Sequence, residues 1–129
     1  LQSINLYTPS AIKPLPGEWT PWDDFLAHMF PVEADRAKVE RWAATLIAKP
    51  GTRMIYGLLM MSENQGVGKG TFARILAELV GRQNASFPSA SLIVDSQFNG
   101  WVAGKRLIIV DEIYEGHSWK AYNKLKSFV

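Results

Sequence analysis

The spacing of apolar residues predicts two helices in the first part of the chain. In residues 20–30, TPWDDFLAHMF, a proline and two aspartates near the start are typical of a first helical turn, and Thr20 is the expected cap. Pro31 interrupts this helix. From about 34 to 49 the apolar residues recur at helical spacing, and the sequence KPG then marks a stop. This second apolar stripe is typical of a core-facing helix.

A different pattern follows, in which apolar residues are continuous. The run RMIYGLLMM at 53–61 predicts a strand that is buried on both faces of a parallel sheet. After the glycine-rich stretch SENQGVGKGTF at 62–72, one apolar face and a terminal Gly81 predict a helix over 71–80. The order strand, glycine loop, helix is half of a βαβ unit.

The last part of the chain predicts one strong strand between weaker elements. A weak strand or extended segment is expected near 92–94, with turns at FNGW and AGK. RLIIV at 106–110 then predicts a strand that ends in two acidic residues, and aromatic and aliphatic residues spaced three apart predict a helix over 118–129. The combination of strands and helices indicates an α/β fold.

Composition excludes several classes of protein. The 129 residues are 47% hydrophobic, enough for one core. With no cysteine, disulfides and thiolate zinc sites are excluded, and the two histidines lie in no metal-ligand pattern. No apolar stretch approaches the roughly 18 residues that span a bilayer, so we expect a soluble, cytoplasmic protein without membrane contact. Because the chain begins at Leu1, we expect a piece of a longer polypeptide.

Charge alone does not indicate a nucleic-acid partner, because the net charge is only +2. We expect Lys105 and Arg106 to be solvated charges at the start of a strand. Lys120, Lys124 and Lys126 are expected on the exposed side of the last helix. None of these residues is assigned to DNA.

The glycine cluster predicts a phosphate site. A glycine loop between a strand and a helix directs successive backbone N–H groups at one point, where the helix N-terminus adds partial positive charge. A lysine at the helix start reaches the outer phosphates, and a nearby hydroxyl can join magnesium coordination. The familiar pattern G-x-x-x-x-G-K-[ST] is matched imperfectly, because Glu63 occupies its first glycine position and Gly70 its hydroxyl position. The alternative is a flexible glycine turn.

The acidic end of the strand at 106–110 predicts the second half of the site. Magnesium takes one or two carboxylates beside phosphate oxygens, which suits Asp111, and Glu112 can act as base on an attacking water. The alternative is a solvated strand end.

Taken together, ENQGVGKGTFARILAELVG and FNGWVAGKRLIIVDEI resemble the ATPase domain of phage and plasmid primase-helicases of helicase superfamily 3, over roughly residues 40–126. The resemblance implies a P-loop NTPase core related to AAA+ proteins, with a parallel sheet that is incomplete in this chain and a small N-terminal helical segment before it. The domains are then a linker or surface arm at 1–18, helices at 19–50 and the start of the ATPase domain at 51–129. The implied protein is an ATP-dependent DNA helicase of phage or mobile-element replication.

The resemblance also implies partners and residue roles. The partners are ATP, Mg²⁺, single-stranded DNA and further copies of the chain, in a hexamer by resemblance, in the cytoplasm of a bacterial host. The implied catalytic residues are Lys69 and Glu112, and the implied magnesium ligands are Thr71 and Asp111. The expected nucleotide-binding residues are Asn64, Gly66, Val67, Gly68, Lys69, Gly70 and Thr71. Because the sensor and arginine-finger residues of such proteins lie beyond Val129, we expect residues 1–129 alone to be inactive as a helicase.

Two other functions are left open. GVGKGT also resembles the loop of adenylate-kinase-like phosphotransferases, although these usually begin at the loop strand. A non-catalytic nucleotide-binding or assembly module, with the first two helices as its interaction surface, is the other alternative.

Overall fold

The computed structural model describes residue 4 and residues 7–64, 66–111 and 119–128. Five α-helices, two strands and two 3₁₀ turns make up the regular structure of this described part. In chain order they are α1 (Thr20–Met29), α2 (Glu33–Ala48), α3 (Lys69–Val80), the turn Arg82–Asn84, β1 (Ala85–Ser86), α4 (Ala90–Asp95), β2 (Leu107–Ile108), α5 (Lys120–Leu125) and the turn Lys126–Phe128. No helix in these ranges is both long and apolar enough to cross a membrane.

The two N-terminal helices lie where the apolar spacing predicts them, but the expected cap of α1 is wrong. Trp19 is the N-cap, and Thr20 is already helical. The hydroxyl of Thr20 donates to the carboxylate of Glu18, and its backbone N–H donates to the same carboxylate at 3.0 Å. The hydroxyl of Thr20 is therefore a donor to Glu18 and does not cap the helix, and Trp22 and Asp23 N–H donate to the carbonyl of Trp19 instead.

The main core surrounds the first turn of α3. Phe72 is 1% exposed, and its ring stacks on Trp22 at 6.0 Å between centroids and meets the edge of Phe30 at 5.7 Å. This places α1 and the residue after it directly over the start of α3. The buried residues of the main core are Leu26, Val39, Ala43, Leu46, Phe72, Leu76, Ala77, Val80, Ala85 and Leu107.

The two strands form a parallel pair. Ala85 lies opposite Leu107 and Ser86 opposite Ile108. Backbone hydrogen bonds extend the ladder at both ends, from Arg106 N–H to Asn84 C=O at 2.7 Å and from Ile109 N–H to Ser86 C=O at 2.9 Å. The strand expected over 106–110 is thus shorter than predicted, and β1 was missed because two residues carry no periodic pattern. A P-loop core stays a prediction, since a two-stranded ladder does not fix the order of a larger sheet.

The prediction of a buried strand over 53–61 is wrong. The segment has no regular secondary structure. Met54, Leu58 and Met60 pack against the main core, whereas Ile55 is 70% exposed and Met61 78% exposed. A strand requires a neighbour to pair with its backbone, and neither strand of the described part pairs with this segment. The apolar run therefore covers the core with one side only.

The extended segment expected near 92–94 is also wrong, because these residues belong to α4. The hydroxyl of Ser89 accepts a hydrogen bond from Leu92 N–H at 3.1 Å, which caps this short helix. The predicted C-terminal helix is confirmed over residues 120–125, as α5. This helix packs against α4. Their contact is a second, smaller core of Ala90, Ile93 and Ala121.

Part of the proline-containing arm is attached to the end of α3. The buried side chain of Asn84 donates to the carbonyl of Thr8 at 2.7 Å and to that of Val80 at 2.8 Å. Gln83 Nε2 also donates to Thr8 at 3.2 Å. These bonds hold the backbone near Thr8 at the end of α3 that is opposite the glycine loop.

Candidate phosphate-binding site

Two glycines shape the loop that leads into α3. Gly66 has φ of 77° and Gly68 has φ of 104°, both in the left-handed region that side chains disfavour. Gly68 is the N-cap of α3, and its carbonyl accepts the first helical hydrogen bond, from Phe72 N–H at 2.9 Å. Gly68 has no side chain that could cap this helix. Within the described residues, the N–H groups of its first turn therefore point away from the helix body without a side-chain acceptor.

Lys69 is the first residue of α3 and curls back across the loop. Its ammonium group donates to the hydroxyl of Ser62, which in turn donates to the carbonyl of Asn64 at 2.7 Å. The side chain thus crosses the mouth of the loop instead of extending into solvent. A lysine ammonium has three donors, so the bond to Ser62 leaves others free to meet an anion.

The remaining loop residues predicted from the sequence lie around this lysine. Asn64 is exposed and contributes its backbone carbonyl, and Val67 is half-buried. Gly70 is the second residue of α3, and a Cβ placed there would meet no atom within 4 Å. Thr71 is exposed in the first turn. The described residues of the predicted loop therefore lie around Lys69, and the first turn of α3 is accessible at Gly70 and Thr71.

The acidic half of the site is described only in part. Asp111 is exposed and follows β2, and it forms no ion pair with Lys69. Glu112 lies outside the described residues, so its expected role as a base stays a prediction. Within the described ranges, no group of three His, Cys, Asp or Glu residues could hold a metal ion. Magnesium bound to nucleotide needs only one or two carboxylates, and Asp111 can supply one.

A family model matches residues 60–129, which is more than half of the chain. The chain belongs to DUF5906, a family of unknown function. The DUF5906 match begins just before the glycine loop and includes α3, both strands and Asp111, whereas α1 and α2 precede it. No curated protein and no solved structure matches the chain.

The basic residues near the strands have structural roles that the sequence did not reveal. Arg106 is not a solvated charge: its guanidinium donates to the carbonyls of Thr45, Leu46, Lys49 and Thr52 at 2.6–3.2 Å, around the C-terminus of α2. Lys105 donates to the carbonyl of Gln83 at 2.8 Å. These contacts correct the expectation that both residues are solvated.

Two lysines of the C-terminal segment are also engaged with neighbouring groups. Lys124 does not merely decorate α5, because it donates to the carbonyl of Ser96 at 2.9 Å, at the end of α4. The ammonium of Lys126 lies 4.6 Å from the ring centroid of Tyr122. Lys120 and Lys126 are exposed as expected, whereas Lys124 is half-buried.

Sequence reasoning missed three side chains that contact the loop. Ser62 was quoted in the loop without a role, although a hydroxyl close before a glycine cluster is a signal that could have been followed. Phe25 and Met29 lie beside Gly68: if this residue had a Cβ, that atom would lie 2.9 Å from Met29 Sδ and 3.2 Å from Phe25 Cε2. Nothing in the local sequence could have revealed that contact, because about 40 residues separate Met29 from Gly68.

Proposed function

We propose that the chain binds the phosphates of ATP, with Mg²⁺, in the loop formed by residues 62–71. The observation that carries this proposal is the pair of left-handed glycines, Gly66 and Gly68, leading directly to a lysine at the start of α3. Such a loop presents backbone N–H groups and a helix N-terminus to an anion, and the lysine adds a mobile positive charge. A simple turn requires neither the lysine nor an uncapped helix behind it.

Each residue then has a specific task. The N–H groups around Gly66, Gly68 and Gly70 hold phosphate oxygens, and Lys69 exchanges part of its contact with Ser62 for the outer phosphates. Thr71 and Asp111 supply oxygen ligands for Mg²⁺, which when bound would neutralise phosphate charge. Glu112 would orient and deprotonate the attacking water.

Chain topology supports placing Asp111 with the loop. Only four residues connect α3 to β1, and so short a connection favours reversal of the chain direction after the helix. The carboxyl end of β1 would then point back toward the N-terminus of α3. Because β2 is parallel to β1, Asp111 would follow at that same end.

We further propose that this ATPase drives a DNA helicase of phage or mobile-element replication, working as an oligomer in the bacterial cytoplasm. Support for this step comes from the resemblance of the loop, the FNGW segment and the DE strand to superfamily 3 primase-helicases. Single-stranded DNA is the proposed second partner. The loop geometry is common to the phosphotransferase and nucleotide-binding-module alternatives, so the resemblance is what favours the helicase over them.

The proposed chemistry is tested by separating binding from hydrolysis in the full-length protein. Replacing both acids, Asp111→Asn with Glu112→Gln, should abolish DNA-stimulated ATP hydrolysis while nucleotide binding without Mg²⁺ persists. Hydrolysis is measured as phosphate release and binding by calorimetry in EDTA. Undiminished hydrolysis in the double variant would contradict the proposed roles of the two acids.

A further inference from the structure

The glycine loop is in contact with a helix far from it in the sequence. Gly68 faces α1 so closely that a Cβ at this position would lie 2.9 Å from Met29 Sδ and 3.2 Å from Phe25 Cε2. Real Cβ atoms do not approach other atoms to 2.9 Å, so a side chain at position 68 would require the side chain of Met29 to move. The same residue has φ of 104° and begins α3.

A second set of contacts ties α1 to the turn of α3 that follows the loop. Trp22 stacks on Phe72 with an angle of 10° between the rings, and Trp22 also lies 6.0 Å from Phe25. Phe72 N–H donates to Gly68 C=O, so the aromatic contact and the loop contact act on one hydrogen-bonded turn. Residues of α1 from Trp22 to Met29 therefore pack against this single turn of α3.

We propose that Phe25 and Met29 are positioning residues of the phosphate loop, which hold Gly68 in its left-handed conformation. This inference rests on the proposed function, and it identifies two residues that set the affinity of the loop for phosphate. Glycine has wide conformational freedom, so a glycine without lateral support populates other backbone states when no ligand is bound. Binding would then have to select the competent loop from a mixture, which weakens the apparent affinity.

The contact also specifies which part of the ligand is affected. Phe25 and Met29 lie beside Gly68, where phosphate would be held, so their effect should depend on the polyphosphate and not on the base. ATP and inorganic tripolyphosphate should therefore respond equally. An effect on ATP alone would instead indicate contact between α1 and the nucleoside.

The test compares Met29→Ala with the conservative Met29→Leu and with Val39→Ala, which removes buried core atoms from α2. Dissociation constants for ATP and tripolyphosphate are measured by calorimetry with Mg²⁺, at a temperature where circular dichroism shows every variant folded. Phe25→Leu replaces Met29→Ala if the latter does not fold.

We expect Met29→Ala to weaken both ligands by the same factor, at least about fivefold, the lower end of typical coupling effects. Met29→Leu should bind close to wild type because it restores most of the volume, and Val39→Ala should bind as wild type. Unchanged affinity in Met29→Ala, an equal loss in Val39→Ala, or a loss confined to ATP would each overturn the positioning role.

A Lys69→Ala variant in the same series separates this inference from the function on which it rests. If Lys69→Ala loses binding while Met29→Ala does not, only the positioning role fails. If wild type binds neither ligand, or Lys69→Ala binds as wild type does, the phosphate loop itself is wrong and the positioning role fails with it.

Discussion

At the scale of single residues, the position of the glycine loop before a helix could be predicted but the partners of its residues could not. Lys69 begins that helix as expected, whereas the left-handed conformations of Gly66 and Gly68 were not predicted. The bond from Lys69 to Ser62 depends on how a flexible side chain folds back. Sequence spacing carries no information on that choice.

The displaced hydroxyl of the loop gives a residue-scale prediction. Because Gly70 occupies the usual hydroxyl position, Thr71 is the proposed magnesium ligand, and Thr71→Val should weaken ATP binding only when Mg²⁺ is present. We expect the affinity for ATP in Mg²⁺ to fall roughly fivefold, which corresponds to the net free energy of about one hydrogen bond. Calorimetry with Mg²⁺ and again in EDTA measures the difference.

Thr45→Val is the matched control for this change, since its hydroxyl donates to Arg41 C=O within α2 and not to the loop. It should bind ATP as wild type under both conditions. An equal loss for Thr71→Val in Mg²⁺ and in EDTA would show that Thr71 supports the loop without serving the metal.

At the scale of elements, helices could be predicted better than strands. Amphipathic spacing is a property of the segment itself, and it correctly indicated α1, α2, α3 and α5. A strand depends on a partner, and the apolar run at 53–61 has none within the described part of the chain. α4 was missed because its apolar residues Leu92, Ile93 and Val94 are consecutive and show no helical spacing, although its cap at Ser89 was a signal that could have been followed.

Arg106 links two elements and yields a stability prediction. Its guanidinium bonds the carbonyls at the C-terminus of α2 from the start of β2, so Arg106→Gln should lower the free energy of unfolding by about 2 kcal/mol. The free energy of unfolding of Arg106→Lys should lie between those of wild type and Arg106→Gln, because an ammonium keeps the charge but cannot reproduce the planar guanidinium fork. Urea denaturation measures both variants.

The control for the loss of charge is Arg41→Gln, an exposed position on the same helix. It should change the free energy of unfolding by less than about 0.5 kcal/mol, as surface substitutions usually do. If Arg106→Gln were as mild as Arg41→Gln, the guanidinium would not hold α2 to β2.

The start of α1 gives a prediction about pH. Hydrogen bonds from the side chain and then the backbone of Thr20 lower the pKa of Glu18. A carboxyl whose pKa is lower in the folded state stabilises that state above the unfolded value, about 4.3, and this contribution is lost as the pH falls through the folded value. Glu18→Gln should therefore lower the melting temperature at pH 7, and its difference from wild type should shrink as the pH falls below about 4.3.

The pKa itself can be followed by NMR titration of the Glu18 carboxyl. Thr20→Val removes the largest cause of the shift and should raise the pKa of Glu18 toward its ordinary value. An unchanged pKa in Thr20→Val would mean that the hydroxyl is not the main stabilising partner of the carboxylate.

At the scale of the whole molecule, the described chain has a main core under α1, α2 and α3 and a smaller one between α4 and α5. The glycine loop lies at the edge of the main core, where Phe25 and Met29 of α1 lie beside Gly68. The loop sequence predicts a phosphate site, but it does not predict this contact with α1, because about 40 residues separate Met29 from Gly68.

The central claim is that residues 62–71 hold the phosphates of ATP. The most direct measurement is calorimetric titration of the protein with ATP and Mg²⁺, comparing wild type with Lys69→Ala and with Lys38→Ala, an exposed lysine of α2 that pairs with Asp35. We predict that Lys69→Ala binds at least about tenfold more weakly, a loss of about 1.4 kcal/mol, while Lys38→Ala binds as wild type. Equal affinity in all three folded proteins, or no binding by wild type, would contradict the claim.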